Sequence, residues 1–128
     1  MWDSILKVLE EKVKEGVEVR VMYDGMCCLM LLPYHYPRVL EKKGIRCKMF
    51  SPIKPTLSTY QNNRDHRKIV VIDGHTAFTG GVNLADEYIN RKQRCGVWKD
   101  TGLMLKGPGV YPLTVTFLKM WLSQYPFA

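Results

Sequence analysis

The sequence predicts a layered α/β domain, a mixed β-sheet flanked by helices. Three observations carry that expectation. Helix and strand patterns alternate through the first fifty residues. A dense β-branched run, Lys68 to Ile72, lies mid-chain and is followed at once by a turn and a return strand. An apolar-striped helix follows the last strand pattern.

The elements follow in order. Asp3 or Ser4 supplies an N-cap for a helix running to about Glu15. Ile5, Leu9 and Val13 recur every fourth residue, Leu6 widens the stripe, and Gly16 supplies the stop. Val17, Val19 and Val21 alternate with Glu18 and Arg20, a strand with one buried face that Tyr23, Asp24 and Gly25 end. Pro37 opens a short helix through Val39 and Leu40, and Gly44 closes it. Ile45, Cys47 and Met49 alternate with Arg46 and Lys48, a second strand. A strand, helix, strand order implies a parallel pair joined by a crossover.

Residues 51–62 read as a loop, with Pro52, Pro55 and several Ser, Thr and Asn residues. The Lys68 to Ile72 run is apolar on both faces and reads as a central strand. Asp73-Gly74 signals a two-residue hairpin, with the return strand over Thr76 to Thr79. Gly80, Gly81, Val82 and Asn83 form a turn. Trp98 to Leu105 is a further strand, and Val110 to about Gln124 a last helix. Its stripe is Val110, Leu113, Phe117, Trp121 and Leu122. Trp98 and Trp121 read as core aromatics.

The chain has 128 residues, 46% of them hydrophobic and 24% charged, which excludes a disordered tail and a membrane bundle. The longest apolar run, Met26 to Leu32, falls far short of the roughly 20 residues of a spanning helix and reads as core or hinge packing. Cys27, Cys28, Cys47 and Cys95 lack zinc-site spacing and read as reduced, structural thiols. Nineteen basic against twelve acidic residues leave a net charge of +7, which favours phosphate esters, anionic lipid or nucleic acid as partners. The cluster Lys42, Lys43, Arg46 and Lys48 reads as a solvated helix end and strand edge. His35 and His75 read as ordinary loop and hairpin residues.

The chemistry concentrates between His66 and Asn83. Strand side chains alternate with period two, so His66 and Lys68 share one side of the strand tip. An imidazole is a competent nucleophile toward phosphorus, and an ammonium beside it neutralises phosphate oxygens. Gly80 and Gly81 permit close backbone approach, and the Asn83 amide has donors for another oxygen. Together they read as a phosphate cradle holding a nucleophile. Nothing in the pattern calls for a cofactor, and no His, Cys and carboxylate cluster argues for a metal.

These residues spell H-x-K-x4-D-x6-G-G-x-N over eighteen positions. The pattern resembles the signature of the phospholipase D superfamily. The flanks, Asn62 to Lys68, Ala77 to Ile89, Trp98 to Thr101 and Gly107 to Trp121, look like bacterial cardiolipin synthase. The resemblance implies a phospholipase D-like half-domain over residues 1–128, lacking its first strand. It implies a phosphatidyltransferase that joins two phosphatidylglycerol molecules through a phosphohistidine and releases glycerol. His66 would be the nucleophile or its acid/base partner. Lys68, Asn83 and Gly81 would bind phosphate, and Asp100 would orient the histidine. Asp73, the motif aspartate, would shape the site. That family carries two such motifs facing each other, and this sequence carries one. The chain is therefore expected to be one catalytic half of a longer enzyme at the bacterial cell membrane, its active domain cytoplasmic, its substrate an anionic phospholipid and its partner a second half-domain. The alternative is a homodimeric single-motif phosphodiesterase or nuclease, although the cardiolipin synthase flanks make nucleic acid the less expected partner.

Overall fold

A computed structural model of the chain describes residues 1–25, 32–50, 65–93 and 96–123. The 51–62 loop, Cys27, Cys28, Cys95 and all of the Met26 to Leu32 run except Leu32 lie outside the described residues. The elements are α1 (Trp2–Lys14), β1 (Arg20–Asp24), α2 (Tyr36–Glu41), β2 (Arg46–Phe50), β3 (Lys68–Ile72), β4 (Thr76–Gly80), β5 (Gly102–Lys106) and α3 (Tyr111–Ser123). Short 3-10 turns cover Asp86–Ile89 and Gly107–Val110. Helices combine with one parallel and one antiparallel sheet, the α/β class that the sequence predicts. The chain divides into two compact units. One comprises Met1–Ile5 and Arg67–Lys119, the other Leu6–His66 and Met120–Ala128.

In the second unit β1 and β2 pair in parallel, with Arg20 opposite Arg46 and Asp24 opposite Phe50. The connection between them contains α2, as a parallel pair requires. Pro37 sits in the first turn of α2, where its missing N–H costs nothing. Gly44 adopts a φ of +78° after the helix, and its empty Cβ position would stand 2.7 Å from Val13 Cγ1. Leu40, Ile45, Cys47 and Met49 are buried here. The strand alternation read for residues 45–49 is therefore a real inward face.

The first strand is displaced. The valine alternation predicts a strand from Val17, yet β1 begins at Arg20 and runs through Asp24. Val17 is captured by the turn after α1, its N–H donating to Lys12 O at 3.0 Å, while Val19 O already accepts from the Arg46 N–H of β2 at 3.0 Å. Val17 itself is exposed. Glu18 accepts from Arg20 Nε at 2.6 Å and from Arg46 at 2.9 Å. Those guanidiniums hold its carboxyl below the usual carboxylate range, the Arg20 hydrogen bond acting most strongly. Lys43 pairs with Glu10. Lys48 donates to Trp121 O at 2.8 Å and lies 5.0 Å from the centre of that ring. Three of the four cations in the 42–48 cluster thus have local partners.

Leu40 is fully buried on α2. Leu40→Ala is expected to destabilise the chain by about 2–5 kcal/mol, through lost transfer energy and an unfilled cavity. Urea unfolding measures it, and a loss under about 1 kcal/mol would mean that the α2 contact is not core. Burial also pushes the Cys47 thiol up to about 12, with the Glu41 charge adding to the effect. Only about one part in ten thousand is then thiolate at pH 8. Iodoacetamide is expected to label Cys47 in the denatured chain and to spare it in the native one. Equal rates by mass spectrometry would contradict its burial.

In the first unit β3, β4 and β5 form an antiparallel meander in that order. Lys68 stands opposite Gly80 and Gly80 opposite Gly102, and the next same-face row is Val70, Phe78 and Met104. The central position read for β3 belongs to β4. Among the described residues β3 stands at the edge of this sheet, and Val70 and Ile72 are about half exposed, at 56% and 50%. Ala77 on β4 is fully buried on the opposite face. The hairpin loop also differs, because Ile72 pairs with Thr76 and leaves three residues in it. Asp73 and Gly74 both take positive φ, +51° and +64°, and the His75 N–H donates to Ile72 O at 3.1 Å. Aspartate tolerates that conformation better than most residues do.

The strand read from Trp98 begins only at Gly102, so residues 98–101 stay outside the ladder. Val110 and Trp121 are buried and Leu113 and Phe117 half-buried, as their stripe requires. Leu122 does not belong to it and is 79% exposed. One residue past Trp121 is a rotation of about 100° around the helix. It joins Tyr111 and Leu118, both exposed, on the other face.

Candidate active site

The antiparallel sheet decides which site residues meet. Lys68 opens β3 and is half-buried. Opposite it β4 ends at Gly80, and the chain leaves the sheet through Gly81. On the next strand Gly102 pairs with Gly80, so residues 100 and 101 arrive beside Gly81. Antiparallel registry alone thus brings three distant segments to one end of the sheet. Two glycines face each other there because neither has a side chain to fill the space. A Cβ on Gly80 would stand 2.9 Å from Thr101 O and 3.3 Å from Gly102 Cα.

Gly81 has a more specific reason to be glycine. A Cβ there would lie 2.6 Å and 2.7 Å from the two carboxylate oxygens of Asp100. The close approach read for this turn is made, in the structure, by the aspartate. The Asp100 carboxylate is exposed but well ordered by donors. Trp98 Nε1 donates to Oδ2 at 3.1 Å and the Thr101 N–H donates to Oδ1 at 2.7 Å. These bonds, that of the Trp98 indole foremost, hold the carboxyl below its ordinary range, with the Gly81 N–H and the Lys68 charge contributing further. Each oxygen of the carboxylate thus has a donor, and a carboxylate has about four lone-pair sites, so it can accept from a further N–H.

Trp98 is therefore no core aromatic, as the sequence suggests, but a half-buried donor to a site carboxylate. The sequence holds a signal for it. A Trp indole N–H needs a partner when it packs, and Asp100 lies two residues away. Asn90 is the other residue missed. Its side chain pairs with the Trp98 backbone, Nδ2 donating to Trp98 O at 3.0 Å and Oδ1 accepting from Trp98 N at 2.7 Å.

The remaining motif residues fall as follows. Asn83 is half-buried two residues past Gly81, and its backbone oxygen accepts from the Ala85 N–H at 2.8 Å. Asp73 lies in the hairpin loop at the far end of β3 from Lys68, about 16 Å along the strand. The structure does not bring it to the Lys68 end. His66 is exposed and precedes Lys68 by two residues in the chain. Among the described residues no group of three His, Cys, Asp or Glu side chains is placed to hold a metal ion. No helix among them is long and apolar enough to cross a membrane.

An α/β domain with this motif, running from a strand tip into a glycine turn, is of the phospholipase D class. A family model described as cardiolipin synthase, PLD-like domain, matches residues 2–121. The chain belongs to that family. It is 60% identical over 131 residues to an uncharacterized protein of Streptococcus mutans, a match covering 100% of the chain and 28% of that protein. It is 42% identical over 123 residues to the cardiolipin synthase of Alkalihalophilus pseudofirmus, covering 95% of the chain and 24% of the relative. Cardiolipin synthase 2 of Staphylococcus epidermidis is 40% identical over 121 residues, covering 94% of the chain and 25% of the relative. The chain thus spans about a quarter of the length of the curated relatives it matches.

Proposed function

We propose that this chain is one catalytic half of a membrane phosphatidyltransferase that makes cardiolipin from phosphatidylglycerol. Its substrate is an anionic phospholipid, and its partner is a second half-domain carrying the other histidine. The reaction proceeds in two displacements. One histidine nitrogen attacks phosphorus as the bond from phosphorus to the glycerol oxygen breaks. The second histidine gives that oxygen its proton, and glycerol leaves. The same histidine then takes a proton from the hydroxyl of a second phosphatidylglycerol. That oxygen attacks the phosphohistidine, the P–N bond breaks, and cardiolipin is formed. His66 is one of the two histidines. Lys68 and the Asn83 amide neutralise and hold the phosphate oxygens, and Asp100 fixes the tautomer of a histidine. Asp73 shapes the hairpin and transfers no proton.

The observation that carries this reading is the seating of the Asp100 carboxylate against Gly81 at the Lys68 end of the sheet. It gives a concrete physical use to two residues of the family pattern that are far apart in sequence. The surplus of cations suits an anionic headgroup at a lipid surface. The test is to incubate the full-length gene product with phosphatidylglycerol in vesicles. Cardiolipin and free glycerol are expected in equal amounts. Release of phosphatidic acid alone would mean that water, and not a second lipid, accepts the phosphatidyl group.

A further inference from the structure

A carboxylate that orients a catalytic group must itself be held, and Asp100 stands on an exposed stretch outside the ladder. What holds it is a short relay of hydrogen bonds. The Asp86–Ile89 turn ends at Asn90, whose φ of +57° and ψ of +24° point its chain into a left-handed bend. That bend presents the Asn90 amide to the backbone of Trp98, and the two groups exchange a donor and an acceptor at 3.0 Å and 2.7 Å. The Tyr88 ring meets the Trp98 ring edge-on, centroids 4.6 Å apart at 67°. Trp98 is thereby fixed at its backbone and at its ring face. Its indole N–H is left to reach Asp100 Oδ2 at 3.1 Å.

We propose that Trp98 is a positioning residue: its indole N–H, kept in place by Asn90, fixes the Asp100 carboxylate in the orientation that phosphoryl transfer uses. The indole takes one lone pair of Oδ2, while the Thr101 N–H takes one of Oδ1. A carboxylate held by donors on both oxygens cannot rotate without breaking one of them. The carboxylate therefore keeps one orientation toward a further donor. The consequence for turnover rests on the phosphatidyltransferase reading, whereas the holding of Asp100 does not.

Trp98→Phe removes the N–H and shortens the ring, while the backbone pair with Asn90 and an aromatic ring beside Tyr88 both survive. Asn90→Gly removes the pair while tolerating the positive φ. In this chain, carbon-13 NMR of the side-chain carboxyls, assigned with Asp100→Asn, follows the titration of Asp100. Its midpoint is expected to rise in Trp98→Phe and to rise less in Asn90→Gly, where the indole is loosened and not lost. In the full-length gene product Trp98→Phe is expected to lower kcat and kcat/KM together, by about 10–100-fold, the usual cost of removing a group that orients a site residue. An Asp100 midpoint unchanged in Trp98→Phe, with amide spectra showing both variants folded, overturns the inference. A midpoint that rises with kcat unchanged overturns its catalytic part. Failure of the phosphatidyltransferase reading has a separate mark: the unaltered full-length gene product forms no cardiolipin from phosphatidylglycerol.

Discussion

His66→Ala in the full-length gene product is expected to lower cardiolipin formation by at least about 10²–10⁴-fold. The lower bound is the cost of losing a general acid or base, and the loss is larger if His66 is the nucleophile. The two roles separate on the leaving group. Expelling glycerol demands a proton, because an alkoxide leaves poorly. A p-nitrophenyl phosphodiester demands none, because p-nitrophenolate is stable at neutral pH. If His66 is the acid/base residue, His66→Ala should release about one equivalent of p-nitrophenol in a burst at close to the wild-type rate and then stall at the phosphohistidine, while failing to make cardiolipin. If it is the nucleophile, both reactions stop. Cardiolipin formation within about threefold of wild type would remove His66 from the chemistry altogether. His75 provides the comparison. It lies in the hairpin loop at the other end of β3 and is exposed, so His75→Ala is expected to leave both reactions unchanged.

What the sequence reveals and what it conceals follow from the range of the forces involved. The motif residues are legible because phosphate chemistry demands particular groups at fixed spacing. β2, α2 and the meander are legible because alternation, a first-turn proline and a turn-forming Asp-Gly pair act locally. The shift of β1 was not legible. Val17, Val19 and Val21 alternate as a strand should, but the turn after α1 captures the Val17 N–H. A competing local hydrogen bond outweighs a pattern of period two. The edge position that β3 takes among the described residues was hidden for a different reason. Its apolar residues look the same in sequence whether they are covered or stand half exposed, as Val70 and Ile72 do. Leu122 was misread because any apolar residue beside a buried Trp121 looks like part of its stripe, when one residue is enough to turn it away. Trp98 shows the commonest concealment. Its bulk suggests core, and only its polar tip, within reach of Asp100, reveals the use.

Gly81→Ala is expected to lower turnover by about 10²-fold, the scale of a displacement of roughly 1 Å at a positioned group. The methyl group would arrive 2.6 Å and 2.7 Å from the Asp100 oxygens, separations that real Cβ atoms do not keep, and 3.0 Å from Cγ. Backbone strain is not the cause, because Gly81 is not among the residues of positive φ. Something must yield, and the exposed carboxylate is freer to move than the sheet behind it. Moving Asp100 breaks its bond to the Trp98 indole, to the Thr101 N–H, or to both. Gly80→Ala provides a contrast. Its methyl would strike Thr101 O at 2.9 Å, a backbone atom at the sheet end, so its cost falls on strand pairing and should appear as lost stability. The decisive measurement is a double-mutant cycle between position 81 and position 100. If the methyl acts through the carboxylate, Gly81→Ala added to Asp100→Ala has little left to disturb, and the double variant should turn over about as fast as Asp100→Ala alone. If the two losses multiply instead, the glycine serves the phosphate directly, and the close approach of Asp100 to the turn is incidental to the reaction.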